Sequence, residues 1–186
     1  IGSFLLAVSL LCIRTDSIKD RTAAQLIDRA WTRTLDGKSD VRPWPWMDSV
    51  PVASLFFPRL NRNFIVMKGT SGAVLAFAPG WHEGTDRPGA PGISMISAHG
   101  DTHFGFLRHL QKGDKIRMQL PDGGMLTYRI ETFKIVTGAE VQVKRTAQER
   151  ILLLSTGFPF MNGPPGYEMR FIVVAREGGE EKAVIS

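Results

Sequence analysis

The apolar positions along this chain change period near residue 40. From Asp16 to Leu35, Ile18, Ala23, Leu26, Ile27, Ala30 and Trp31 recur at intervals of three to four, while Lys19, Arg21, Asp28 and Arg33 fall largely elsewhere around the wheel. That spacing predicts an amphipathic helix, and Ser17 with Asp20 three positions later offers an N-terminal cap. Gly37 to Asp40 breaks it. Arg42-Pro43-Trp44-Pro45-Trp46 then reads as an extended connector, because neither proline can sit inside a helix. Its two tryptophans are expected to pack the connector onto the wall of the domain that follows.

From Val52 onward, short apolar runs alternate with turns. Phe64 to Met67, Val74 to Phe77, Ile93 to Ala98, Ile116 to Leu120, Leu126 to Val136, Ile151 to Ser155 and Phe171 to Ala175 are the predicted strands. Pro121-Asp122-Gly123-Gly124 marks a hairpin between two of them. Phe104 to Leu110, closed by Lys112-Gly113-Asp114, predicts a short helix. No internal repeat or low-complexity tract interrupts the series. Short strands at this spacing argue for an all-β barrel or sandwich, and the pattern alone does not choose between them.

Composition fits that class: 43% hydrophobic residues supply a core, and 19 glycines and 11 prolines supply turns. The formal charge of +5 raises the question of nucleic acid. The basic residues, however, are scattered: Lys112, Lys115, Arg117, Arg129, Lys134, Lys144 and Arg145 alternate with apolar positions, as on solvated strand faces. A single-strand-binding barrel would need exposed aromatics along a basic groove. The single cysteine, Cys12, excludes an intramolecular disulfide and any multi-cysteine zinc site. It lies in Ile1 to Ile13, an apolar run shorter than the ~20 residues that span a bilayer. Three readings compete, the tail of a membrane anchor, part of a signal peptide and a packed core helix, and the anchor is favoured because polar helical sequence follows with no small-residue cleavage site. The expected organisation is residues 1–13 as anchor remnant, 14–41 as helix and linker, and 42–186 as the barrel domain.

Three segments carry candidate chemistry. His99 follows directly on an apolar run, at the junction of strand and loop where a rigid element can present an acid–base group. Arg170 opens the last predicted strand, where a guanidinium can donate two hydrogen bonds to a carbonyl or oxyanion. Taken singly, the first is as consistent with a structural histidine and the second with a surface ion pair. With Asp101 and His103, His99 could make a His-x-Asp-x-His metal cluster, but no further ligand is evident and no metal or cofactor is expected. Leu152-Leu153-Leu154-Ser155-Thr156-Gly157-Phe158-Pro159-Phe160 reads as the end of a buried strand, where a nucleophile could be presented, and position 157 holds glycine.

Taken in order, these segments resemble the sortases, the cell-surface cysteine transpeptidases, and in particular those of Gram-negative bacteria. The likeness rests on the Pro-Trp-Pro-Trp connector, on Ala76 to His82, on Pro88 to Ser94, and most specifically on His99-Gly100-Asp101-Thr102-His103-Phe104-Gly105-Phe106-Leu107. It covers residues 42–186. The resemblance implies an eight-stranded closed β-barrel on a single-pass inner-membrane anchor, facing the periplasm. The implied reaction is cleavage of an LPXTG-like C-terminal sorting signal after threonine, with transfer of the acyl group to an amine. His99 would be the general acid and base, and Arg170 the group that orients substrate and stabilises the oxyanion. The family's nucleophile follows a threonine in the context Thr-Cys-aromatic-Pro-aromatic. Thr156, Phe158, Pro159 and Phe160 match, Thr156 and Phe158 are the implied substrate contacts, and Gly157 stands where the thiol belongs. Gly100 departs from the arginine common after the family's histidine. The chain as written is therefore expected to be inactive, whether the glycine is natural or introduced. The alternative is a non-catalytic module that binds a sorting signal or scaffolds a membrane partner.

Overall fold

The computed structural model describes residues 22–137, 148–160 and 169–178. Residues 22–35 form helix α1, whose buried side chains Ala23, Ile27, Ala30 and Trp31 lie on one stripe. It ends where Gly37 takes φ +83° and the amides of residues 36–38 turn back onto carbonyls of the last turn. The expected Asp16 start and cap, and the apolar run 1–13, lie outside the described residues. None of the helices in the described residues is long and apolar enough to cross a membrane.

Eight strands follow: β1 (Pro51–Phe57), β2 (Arg62–Lys68), β3 (Gly80–Trp81), β4 (Gly92–Ser97), β5 (Lys115–Gln119), β6 (Met125–Thr137), β7 (Arg150–Phe158) and β8 (Met169–Glu177). They close into a barrel in the order β1-β2-β3-β4-β7-β8-β6-β5. Closure removes every exposed sheet edge, which an open sheet of these apolar strands would leave free to pair with another chain. Pairing is parallel at β2–β3 and β4–β7 and antiparallel elsewhere. The β4–β7 pair matters most for function, since it joins segments far apart in sequence.

Strand alternation divides the apolar residues into two sets. Leu55, Val66, Ile96, Ile116, Met118, Tyr128, Leu154 and Val173 fill the barrel. On the outside, Ile65 and Met67 of β2 receive Ile27 and Trp31 of α1 together with Met47. The connector contributes one tryptophan to this contact: Trp44 packs edge-to-face on Phe77 with centroids 5.3 Å apart. Trp46 corrects the expectation for its half, being 82% exposed. Lys115 and Arg117 alternate with buried Ile116 and Met118, as on a solvated strand face.

Three readings of the pattern need correction. Val74 to Phe77 is not a strand: Ser71 caps a short helix, α2 (Gly72–Leu75), its hydroxyl accepting from the Val74 amide at 3.4 Å. A four-residue apolar run carries no period, and the cap decides it. The strand comes later, at Gly80–Trp81, where a β-carbon on Gly80 would strike the Gly69 carbonyl, so only glycine allows the approach. Strand β1 was not among the predicted runs. Phe104 to Leu110 is helical as expected, but as a 3-10 turn over Gly105–His109.

Candidate active site

Strands β4 and β7 run in parallel register, with Ser97 opposite Ser155. The ladder extends one step further, the Ala98 amide donating to the Ser155 carbonyl at 3.2 Å. β4 ends at Ser97, so His99 lies two residues beyond the paired part of β4, as Gly157 lies two residues beyond Ser155 in β7. On the other side of β7, Gly157 is directly opposite Arg170 of β8. Gly157 and Arg170 are thus paired across β7 and β8, and His99 follows the end of the neighbouring strand β4. All three are exposed, whereas Ala98 and Thr156, just before His99 and Gly157, are buried and Phe171 after Arg170 is half-buried. Alternation gives the face: Ile96, Ala98, Leu154 and Val173 point into the barrel, so Ser97, Ser155, Gly157 and Arg170 point outward.

Local sequence explains the geometry. β7 ends at Phe158 because Pro159 has no amide to continue the ladder. Beyond His99 the chain turns tightly: the Phe104 amide donates to the His99 carbonyl at 2.9 Å, and the fully buried Phe104 ring anchors the turn in the barrel core. The turn lies over the end of β7. A β-carbon on Gly100 would come within 2.9 Å of Thr156 Oγ1 and 3.6 Å of the Gly157 carbonyl oxygen. An arginine there would need the threonine hydroxyl to give way, which accounts for the glycine in this chain.

A β-carbon on Gly157, by contrast, meets nothing within 4 Å, and its φ is not in the left-handed region. The position can carry a side chain without strain. Thr156 is fully buried, on the inward face, and its hydroxyl lacks a hydrogen-bond partner among the described residues. It supports the site from beneath and presents no side chain to a ligand. Phe158 is half-buried, edge-to-face with Phe160 at 6.1 Å. His103 bonds to the Thr102 hydroxyl at 3.1 Å and stacks edge-on against Phe64. Among the described residues no three His, Cys, Asp or Glu side chains gather as metal ligands do.

One polar group at this site escaped the sequence reading. His82, just after β3, places Nε2 2.8 Å from Ser97 Oγ, one outward step behind His99. Burial, and after it the charge of Arg170, pushes its pKa below the usual imidazole value, so the ring is neutral at pH 7. Its signals in the sequence were its place at the end of the Ala76 to His82 segment and next to Trp81, which points inward, and neither gave it a role, since a two-residue strand shows no period.

The comparisons agree with this architecture. The sortase domain family matches residues 55–178. Sortase D of Bacillus subtilis is 31% identical over 117 residues, covering 61% of this chain and 59% of that protein. Among solved structures, sortase A from Corynebacterium diphtheriae aligns with a TM-score of 0.64 at 20% identity, over 80% of this chain and 70% of that one. Sortase C from Clostridium perfringens aligns with a TM-score of 0.59 at 21% identity, over 92% and 99% respectively. With the closed barrel, the parallel β4–β7 pair and a family match over most of its length, this chain belongs to the sortase family.

Proposed function

We propose that His99, Gly157 and Arg170 form a sortase transpeptidation site that binds an LPXTG-like sorting signal and lacks its nucleophile. The observation that carries the reading is that Gly157 lies opposite Arg170, while the parallel β4–β7 pair, in register up to Ser97 and Ser155, stops two residues short of His99 and Gly157 alike. In such a site a thiolate at position 157 attacks the threonine carbonyl, and Arg170 stabilises the oxyanion. His99 protonates the departing amine, then takes a proton from the incoming one. Glycine supplies only hydrogen at the attacking position, so this chain binds the signal without forming an acyl-enzyme.

The wider setting is part of the same proposal. It is a Gram-negative type of sortase, anchored in the inner membrane through residues 1–13 with the barrel in the periplasm. The motifs between Pro43 and Leu107 are the ground for the type, and the apolar run of residues 1–13 is the ground for the anchor. A non-catalytic role, in which the glycine is native and the domain holds a sorting signal for a membrane partner, uses the same groove.

The test is Gly157→Cys. The open space at this position lets the variant fold. Incubated with an LPXTG-like peptide, it should gain the mass of the acyl fragment and lose it to hydroxylamine, while the parent gains none. A folded variant that forms no adduct with any of several signals would favour the binding role. An adduct on the parent would place the nucleophile elsewhere and overturn the site.

A further inference from the structure

The His82–Ser97 pair has no part in the acid–base scheme of the sorting-signal groove proposed above. It stands on the outward strand face one alternation step from the level of Gly157 and Arg170, which is about 6.6 Å along the strand. Three polar atoms meet there. Ser97 is 4% exposed and bonds to the His82 ring; in register beside it is Ser155, 0% exposed, whose hydroxyl has no partner among the described residues. Further down the same face, Ile93, Met95, Ile151 and Leu153 make the strip apolar. A buried, unpartnered hydroxyl costs about 1–3 kcal/mol, so this polar step in an apolar strip is maintained against stability. The half-buried His82 ring is the member of the group that a ligand can reach.

We propose that His82, seated on Ser97, selects an uncharged hydrogen-bonding side chain at the variable third position of the sorting signal. This rests on reading the groove as a sorting-signal site. An extended peptide advances about 3.3 Å per residue. With the bond that follows threonine held over Gly157, the variable residue lies two residues before the departing glycine, at the pitch of the His82–Ser97 pair. The ring bonds to Ser97 through Nε2, and no Nδ1 partner is found among the described residues. A glutamine, asparagine or serine side chain satisfies it. An aliphatic side chain would leave it unpaired, and a lysine or arginine would meet the Arg170 charge that already depresses its pKa.

The glycine chain suits the test, since peptide binding is read without turnover. Fluorescence anisotropy would compare signals identical except for glutamine, leucine or lysine at the variable position. Glutamine should bind about tenfold tighter than leucine, the discrimination expected when a site's polar group is left unpaired, with lysine weakest. His82→Phe should bring the glutamine-to-leucine ratio close to one, and His82→Gln should restore most of it, a rescue that a purely structural role would not give. Ser97→Ala should lower the ratio as well and stands in if His82→Phe does not fold. A ratio near one in the parent, or one unchanged in a folded variant, overturns the inference while leaving the sorting-signal site intact. Failure of every peptide to bind would overturn the site and the inference together.

Discussion

The two faces of β7 lie on one backbone and follow different rules. Inward, Leu152 and Leu154 are at most 0% exposed and interlock with Ile96, Val173 and Ala175 in the barrel core. Outward, the series starts apolar at Ile151 and Leu153, then sheds its bulk: Ser155, then Gly157 with no atom within 4 Å of where its β-carbon would be. The inner face is constrained by close packing, where every missing atom leaves a hole. The outer face is constrained at one end only by what must be left open. Both faces are buried from Ile151 to Thr156, so within this single strand tolerance to substitution should rise only at the site end, from Gly157 on.

The comparison breaks most visibly in denaturant. Leu154→Ala removes an isobutyl group from the packed interior and should cost about 2–5 kcal/mol. Gly157→Ala, three residues on, should be neutral or stabilise by up to about 1 kcal/mol, since a strand glycine is replaced where φ and space both permit a side chain. Urea midpoints for both variants give the contrast directly. Equal losses would mean that the outward row is packed, and that Gly157 is a structural glycine with no lost function to explain.

Ser155→Ala sharpens the same contrast. Its hydroxyl is buried and has no partner among the described residues, so deleting it should raise stability by about 1 kcal/mol, a rise of roughly 2–4 °C in Tm for a chain of this size. The gain should come with weaker selection at the variable position of the peptide, because this hydroxyl flanks the His82–Ser97 pair. A loss of stability on removing it would show that the hydroxyl is satisfied in the folded protein.

How far the sequence revealed these features depended on period and length. Strands β2 and β4 to β8 were legible because four or more residues alternate or run apolar between turns, and His99, Gly157 and Arg170 were legible because they border such runs. β3 was not, having two residues held by the Gly69–Gly80 approach rather than by propensity. The Val74–Phe77 run was misread because Ser71 caps it, a cue of one residue against four apolar ones. His82 fell with β3: without that strand there was no register to put its ring on Ser97. The burial of Thr156 follows from alternation alone and was open to view, but the motif drew attention to its neighbours in sequence rather than to its face. Barrel over sandwich was the resemblance's contribution; period carries no information about closure.

The smallest effect concerns pH, and it separates His82 from the rest of the site. Its folded pKa is depressed, first by burial and then by Arg170, below the imidazole's ordinary value of about 6.5. The unfolded chain therefore takes up this proton first as the solution is acidified. The stabilisation is complete above about pH 6.5 and declines as pH falls through that value toward the lowered one, then levels off once both states are protonated. Asp114 is displaced in the same direction, but its window is separate. Burial raises its pKa, the hydrogen bonds from Arg59 and the Gln111 amide outweigh that, and the consequence is felt only below the ordinary carboxylate value near 4. Between pH 7.5 and 5 the parent should lose slightly more Tm than His82→Gln, which cannot titrate. The difference should be small, because the ring is only half-buried and solvent screens part of the Arg170 charge. Parallel Tm curves for the two proteins would mean that the ring feels neither burial nor Arg170 in solution, and that it stands clear of the groove in which the inference places it.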